Sequence, residues 1–298
     1  MTYCVAVSKR PRLAPSIRLT LAAFRRHNAS RFGAALAFYI VFSVAPILLI
    51  AIAIAGSVLG RQQAEQDIVD RIGLSIGSAA GAAIAAMIKD AAHRRVGWVA
   101  TVFGFTTLYF GLTGVYRQID DAIRTIWNPT AEESAPTKRT LEARLASLLL
   151  VIALGAVMLL SVIADAAIAV TGKYAATRLI GGEVLWQAAQ LLVSTLVLTA
   201  LFAAVFRYLP HARVKWRDVR LGAAVTAILF VIGKFGLGLY LGKAAVGSAF
   251  GAAGSIVVVL LWSYWSAQIL FFGLEFTHVY AQERESDLTS IVQDHVQQ

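Results

Sequence analysis

The side chains able to do acid–base, metal or nucleophilic chemistry are few and far apart in this chain. The five histidines, His27, His93, His211, His278 and His295, stand in no metal-ligand spacing. Cys4 is the one cysteine and reads as an incidental reduced thiol rather than a lipidation site. Asp120 and Asp121 are neighbours and cannot both face one site on a helix, which makes them poor ligands for a two-metal centre. There is no phosphate-binding loop and no dinucleotide fingerprint. A hydrolase, nuclease or metal enzyme needs such groups gathered in usable geometry. The sequence therefore points away from an enzyme and from any bound cofactor or metal.

What remains are polar groups set into apolar runs, and the composition explains why they stand out. Of 298 residues, 58% are hydrophobic and 15% charged, with a mean hydropathy of +0.69. A soluble domain carries about 25% charged and about 45–50% apolar residues. This chain could not cover the surfaces of two such domains, so a membrane protein is expected. A helix crosses the hydrocarbon core, about 30 Å thick, with about 20 mostly apolar residues. Six stretches suffice: about 35–60, 97–115, 145–170, 184–206, 221–240 and 251–272. The ten-residue alternation of an outer-membrane barrel is absent, so the spans should be helices. The expected fold is all-α and polytopic, a bundle of six transmembrane helices. It divides into a basic N-terminus (1–33), a membrane domain (34–276) and a polar tail (277–298) that frays. The first span follows a basic stretch without a cleavage-site pattern, which argues against a cleaved signal peptide.

Ionisable groups within spans are functional candidates by default. Asp165 and Lys234 both fall beyond the midplane of their spans, toward the outer side. They could pair, Asp165 could line an outward-facing cavity, or Lys234 could snorkel while Asp165 sits in the interface. Glu275, after Gly273 at the inner end of the last span, is placed to bind water or a cation such as Arg117. Gln268, with Gln187, Gln190 and Ser194, suits interhelical hydrogen bonding. Pro46 falls within the first span, after Tyr39 and Ser43, and should kink or break it. Broken helices often build transporter sites, although simple kinks are commoner. Trp262, Tyr264 and Trp265 sit mid-span and should pack inside the bundle or line a cavity.

Two further elements lie outside the spans. Residues 14–31 place Ile17, Leu21 and Phe24 near one helical face and Arg18, Arg25 and Arg26 elsewhere, the pattern of an interfacial helix on anionic phospholipid. In the first outer loop Gly73, Gly77, Gly81 and Ala85 recur every four residues. That stripe of small residues reads as a re-entrant or surface helix packed closely on the bundle, or as a docking surface for a homo-oligomer or another membrane partner. Gly56-x-x-x-Gly60, Gly238-x-x-x-Gly242 and Gly247-x-x-x-Gly251 are further close-packing signals.

The formal charge is +10. Eighteen of the 27 Lys and Arg lie in the N-terminal segment, the second and fourth inter-span loops and the tail; eight lie in the other loops. That bias places both termini in the cytoplasm. The surplus is thus an orientation signal and a phospholipid contact, not a nucleic-acid footprint.

Four runs resemble the YihY/BrkB family in order and spacing: AALAFYIVFSVAPILLI (34–50), DDAIRTIW (120–127), FRYLPHARVKWRDVRLGA (206–223) and IVVVLLWSYWSAQILFFGLEF (256–276). The matching positions are Tyr39, Ser43, Pro46, Trp127, Tyr208, Pro210, Gly222, Trp262, Gly273 and Glu275. The resemblance implies a bacterial inner-membrane protein with six spans and cytoplasmic termini. It assigns no catalytic or transport residue. The family's former label, ribonuclease BN, finds no support in these residues, and its association with virulence and serum resistance describes a phenotype. The expected function is non-ATP-driven transport or export of a lipid-like or small solute, with a membrane scaffold or envelope-integrity role as the alternative.

Overall fold

The computed structural model describes residues 13–76, 78–93, 98–127, 182–208, 215–243 and 253–296. Asp165, Gly77, Pro210 and the expected span at 145–170 lie outside them. The described residues form eight helices and no strands. These are α1 (Leu13–Arg26), α2 (Ala29–Leu59), α3 (Arg61–Ile76), α4 (Ser78–His93), α5 (Trp98–Trp127), α6 (Gly182–Tyr208), α7 (Trp216–Lys243) and α8 (Gly254–Val296).

Local chemistry sets the joints. Pro15 fits the first turn of α1, where its missing N–H is not needed. Asn28 ends α1 in the left-handed region, at φ 52°, which asparagine tolerates better than most residues. Its carbonyl then accepts from Arg31 N at 2.9 Å, opening α2. One residue thus makes the elbow between two helices. Gly60, at φ 86°, makes the corresponding joint between α2 and α3, in a conformation that favours glycine.

Three helical segments among the described residues are long and apolar enough to cross a membrane: Ala29–Ile50, Trp216–Leu241 and Gly254–Arg284. Leu191–Arg207 is a shorter apolar stretch. Their outer faces carry large apolar side chains open to the surroundings. Examples are Phe103, Phe105 and Phe110 on α5, Leu192 and Leu196 on α6, and the stripe Ile228, Ile232, Phe235 and Leu239 on α7. Water would not tolerate so continuous an apolar surface, whereas lipid does.

Helix α8 is the axis. It packs against α1, α2, α4, α5 and α7, while α2 also packs on α5 and α6 packs on α7. One core gathers Leu36, Ile123, Phe206, Val219, Phe271 and Leu274 near the basic end of the bundle. A second joins Leu48, Ile52, Ile84, Ile88, Leu237 and Trp262 toward the other end.

Where α7 crosses α8 the fit is reciprocal. A Cβ at Gly273 would overlap Thr226 Oγ1, and one at Gly222 would overlap Thr277 Oγ1. Each threonine hydroxyl donates to the carbonyl one turn back on its own helix, Thr226 to Gly222 O at 2.7 Å and Thr277 to Gly273 O at 2.8 Å. The helices therefore meet without stranding a polar atom.

The structure departs from the sequence reading at four places. The segment read as one helix with a glycine stripe is a pair, α3 and α4. A Cβ on Gly81 would lie 2.8 Å from Gly73 Cα, so the two glycines face one another between helices instead of lining one face. Pro46 does not break α2, which runs unbroken from Ala29 to Leu59. Prolines are tolerated in membrane helices where neighbours make up the lost contacts. The tail does not fray after Phe276, since α8 continues to Val296 with α1 packed along its extension. Finally, Gly60 and Gly238 meet nothing within 4 Å among the described residues, so no close packing is seen at these members of the Gly-x-x-x-Gly pairs there.

Replacing Gly273 with Ala puts a methyl group into the Thr226 side chain. The expected loss is about 1–3 kcal/mol, the range for overpacking a core. Adding Thr226→Ala removes the overlapping oxygen and restores part of the loss. Thermal unfolding of the detergent-solubilised protein checks both variants, and equal losses in the single and double variants would contradict this crossing.

Candidate functional site

At the basic end of the bundle, α8 carries a buried polar node opposite the α1–α2 elbow. Gly273 and Thr277 hold α8 against α7, and the residues between them, Leu274, Glu275 and Phe276, have no exposed surface. Glu275 points its Oε1 at His27 Nδ1, 2.7 Å away. Its second oxygen, Oε2, is buried and has no hydrogen-bond partner among the described residues. The His27 ring is partly exposed, and Arg26 Nη2 lies 3.5 Å from its other nitrogen, Nε2. One turn further along α8, His278 meets the ring of Trp127 edge-on, with 5.1 Å between centroids.

Two more polar contacts fasten this end. Asp218, in the first turn of α7 where a helix favours negative charge, accepts from Arg284 Nη1 at 2.7 Å and is nearly buried. Ser16 of α1 donates to Glu283 of α8. The face of α1 turned inward is Ser16, Thr20 and Ala23, with Phe24 tilted against Phe272 at 6.2 Å. Its larger apolar residues, Ile17, Leu19 and Leu21, face outward.

The residues singled out in the sequence separate into distinct surroundings. The Tyr39 ring fills the space beside Gly114, and Ser43 fills the space beside Gly111, so both lie in the α2–α5 contact. Ser43 Oγ donates to Tyr39 O at 3.0 Å, three residues before Pro46. Gln268 covers Gly33 and reaches Ser30 O at 3.4 Å. Trp262 is buried edge-on to Phe230 at 6.1 Å, whereas Trp265 is 44% exposed with its indole against Gly233. Lys234 is half-buried on α7. The question of its pairing with Asp165 lies outside the described residues. Glu275 is joined to His27, not to Arg117, whose side chain is exposed on α5.

Sequence reasoning missed His27, His278 and the Asp218–Arg284 pair. His27 and Glu275 are separated by 248 residues, so no local spacing could have joined them. Asp120 is held by Arg124 in an i,i+4 ion pair at 2.9 Å, and the carboxylate pushes the guanidinium pKa above its ordinary value. No three His, Cys, Asp or Glu gather as potential metal ligands among the described residues.

Long apolar helices with lipid-like outer faces, packed around buried polar side chains, define an all-helical membrane-embedded protein. The sequence pattern of the family described as Virulence factor BrkB matches residues 20–294, and the chain belongs to that family. A UPF0761 membrane protein of Rhodospirillum centenum is 23% identical over 282 residues, covering 92% of this chain and 59% of that protein. Another, from Stenotrophomonas maltophilia K279a, is 28% identical over 176 residues, covering 57% of this chain and 39% of its own length. One from Chromobacterium violaceum is 39% identical over 85 residues, 28% of this chain and 20% of that protein. The chain thus spans less than two thirds of the length of these curated relatives. No solved structure matches.

Asp218→Ala removes a nearly buried carboxylate and leaves Arg284 without this partner. A hydrogen bond to a charged group contributes about 1.5–3 kcal/mol. A loss of that size is expected in the unfolding free energy of the solubilised protein. A change below about 0.5 kcal/mol, the usual range for surface substitutions, would place the pair among weak surface contacts.

Proposed function

We propose that this chain is a non-ATP-driven transporter or exporter of a lipid-like or small solute in the bacterial inner membrane, with both termini cytoplasmic. The observation that carries this reading is on α8, where Glu275 Oε2 and Ser266 Oγ are both buried and unpartnered among the described residues. An ionisable group at membrane depth is costly, and such groups characteristically mark paths for solutes or ions. A helix built solely to pack could carry leucine at position 275.

Other features fit the reading. Unlike the separated faces expected from the sequence, α1 turns Phe24 inward and presents Ile17, Leu19 and Leu21 together with Arg18 and Arg25 outward, a mixed face that can still lie on anionic phospholipid. The six apolar runs and the Lys/Arg bias support six spans and the stated orientation. The α3–α4 hairpin, packed on α2 and α8, fits a re-entrant element. The absence of a nucleotide motif in the sequence favours passive, ion-coupled or partner-driven movement. A scaffold role docking through the stripe at 73–85 is the weaker reading, because Gly73 and Gly81 are spent on each other inside the hairpin.

The test is flux in vesicles of phosphatidylethanolamine and phosphatidylglycerol. One arm follows transbilayer movement of a fluorescent phospholipid, and the other follows release of an entrapped small organic anion. Protein-containing vesicles should accelerate one of them. Glu275→Leu, checked for folding by size-exclusion chromatography, should slow it about tenfold or more, equivalent to about 1.4 kcal/mol in barrier. Rates equal to those of empty vesicles in both arms would overturn the proposal.

A further inference from the structure

Transport without a nucleotide needs another source of direction, and the Glu275 node has the parts to bind the simplest coupling ion. We propose that Glu275 is a proton-binding site, loaded from the basic end of the bundle through His27. For the binding of the proton the inference stands on geometry; for what the proton drives it rests on the transport reading.

The geometry has three parts. The carboxyl is fully buried, with its Oε2 unpartnered among the described residues. Its hydrogen bond among the described residues, at 2.7 Å, is to an imidazole nitrogen. That imidazole is 16% exposed, so the same ring touches both the surroundings and the buried acid. An ionised carboxylate taken out of water suffers a penalty of several kcal/mol. One hydrogen bond to a charged partner returns about 1.5–3 kcal/mol. The penalty exceeds what that bond returns, so the carboxylic acid–imidazole pair competes with the ionised pair at this site.

The charged and titratable neighbours can be named element by element. From α1 and the elbow come His27, 2.7 Å from the carboxyl, and Arg26, 3.5 Å from the far nitrogen of that ring. On α8 itself, His278 lies one turn beyond the glutamate. Helix α5 brings the Trp127 ring onto His278, and α7 brings Asp218, already held by Arg284. Arg26 is the fixed cation of the group. It is exposed, and its Nη2 can only donate, so in this arrangement Nε2 is the accepting nitrogen and Nδ1 carries the proton that faces Glu275.

Loading is a two-site relay. Water at the exposed edge gives a proton to His27 Nε2, forming the Nε2–H bond. The Nδ1–H bond breaks as its proton passes to Glu275 Oε1, forming the carboxylic acid. Net, one proton leaves solution and neutralises the carboxylate, while the ring ends neutral in the other tautomer. Reversal of both steps unloads the site.

Infrared difference spectroscopy of the full chain in phosphatidylethanolamine–phosphatidylglycerol membranes tests the binding directly. Acidification should produce a protonated-carboxyl band that is absent in E275Q and displaced but present in E275D. After a rapid pH drop, the H27F variant should show that band rising about a hundredfold more slowly, the scale of losing a positioned proton donor. Identical difference spectra for wild type and E275Q would overturn the proposal, as would unchanged uptake kinetics in H27F. The flux assay separates the two readings. A Glu275 band without flux removes the transport role and leaves the proton site, whereas flux with the same pH dependence in wild type and E275Q removes the proton site and leaves transport.

Discussion

The close crossing of α7 and α8 is the constraint on which the rest of the structure depends. Between helices in lipid, burying apolar surface supplies no drive, because hydrocarbon chains are as apolar as leucine. Association must come from contact at short range, and contact at short range needs glycine. Gly222 and Gly273 each leave a hollow, and Thr277 and Thr226 each fill the hollow on the opposite helix. The arrangement works because each hydroxyl is satisfied on its own helix and needs nothing from its neighbour. A valine of the same shape would pack similarly but would lose that bond, while a leucine would hold the helices apart.

A dry position for Glu275 follows from this crossing. The two residues that lock α8 to α7 bracket the glutamate in sequence, so closure at Gly273 and Thr277 draws the intervening turn out of contact with the surroundings. On the side facing α1, the left-handed Asn28 turns the chain sharply enough to bring His27 to 2.7 Å from the carboxyl. The hydrogen bonds of the α1–α2 elbow and the packing of α7 on α8 are independent interactions. The polar node exists where they meet, and it is set by long-range geometry and not by any local motif.

That distinction explains what could be read from the sequence. The apolar runs report α2, α7 and α8 because lipid imposes length and composition on a crossing helix, and both appear in a window of about 20 residues. Glu275 stood out for the same reason, as a charge beside an apolar run. Its partner did not, because His27 is one of five scattered histidines and nothing at positions 25–30 encodes a contact 248 residues away. Glycine spacing was an unreliable guide to packing. The repeat at 73–85 implied one close-packed helical face, but the chain reverses within it and two of its glycines meet across the hairpin. Gly238 satisfies a Gly-x-x-x-Gly pattern and touches nothing among the described residues, whereas Gly222 and Gly273 belong to Gly-x-x-x-Thr pairs that do the packing. Spacing states which residues share a helical face; it does not state what that face meets.

The same comparison sharpens the meaning of the positions that carry the family resemblance. Gly222 and Gly273 have a packing role, and so do Tyr39 and Ser43 through Gly114 and Gly111. Trp262 fills the second core, edge-on to Phe230, and Trp127 closes over His278. For each of these, shape is a sufficient reason for the residue type. Glu275 is different. Its volume could be supplied by leucine or glutamine, and burying its charge opposes folding by more than its single bond to His27 restores. A residue that shape does not require and that burial penalises needs a chemical reason to be there. The reason its surroundings offer is proton exchange with an imidazole that reaches the surface.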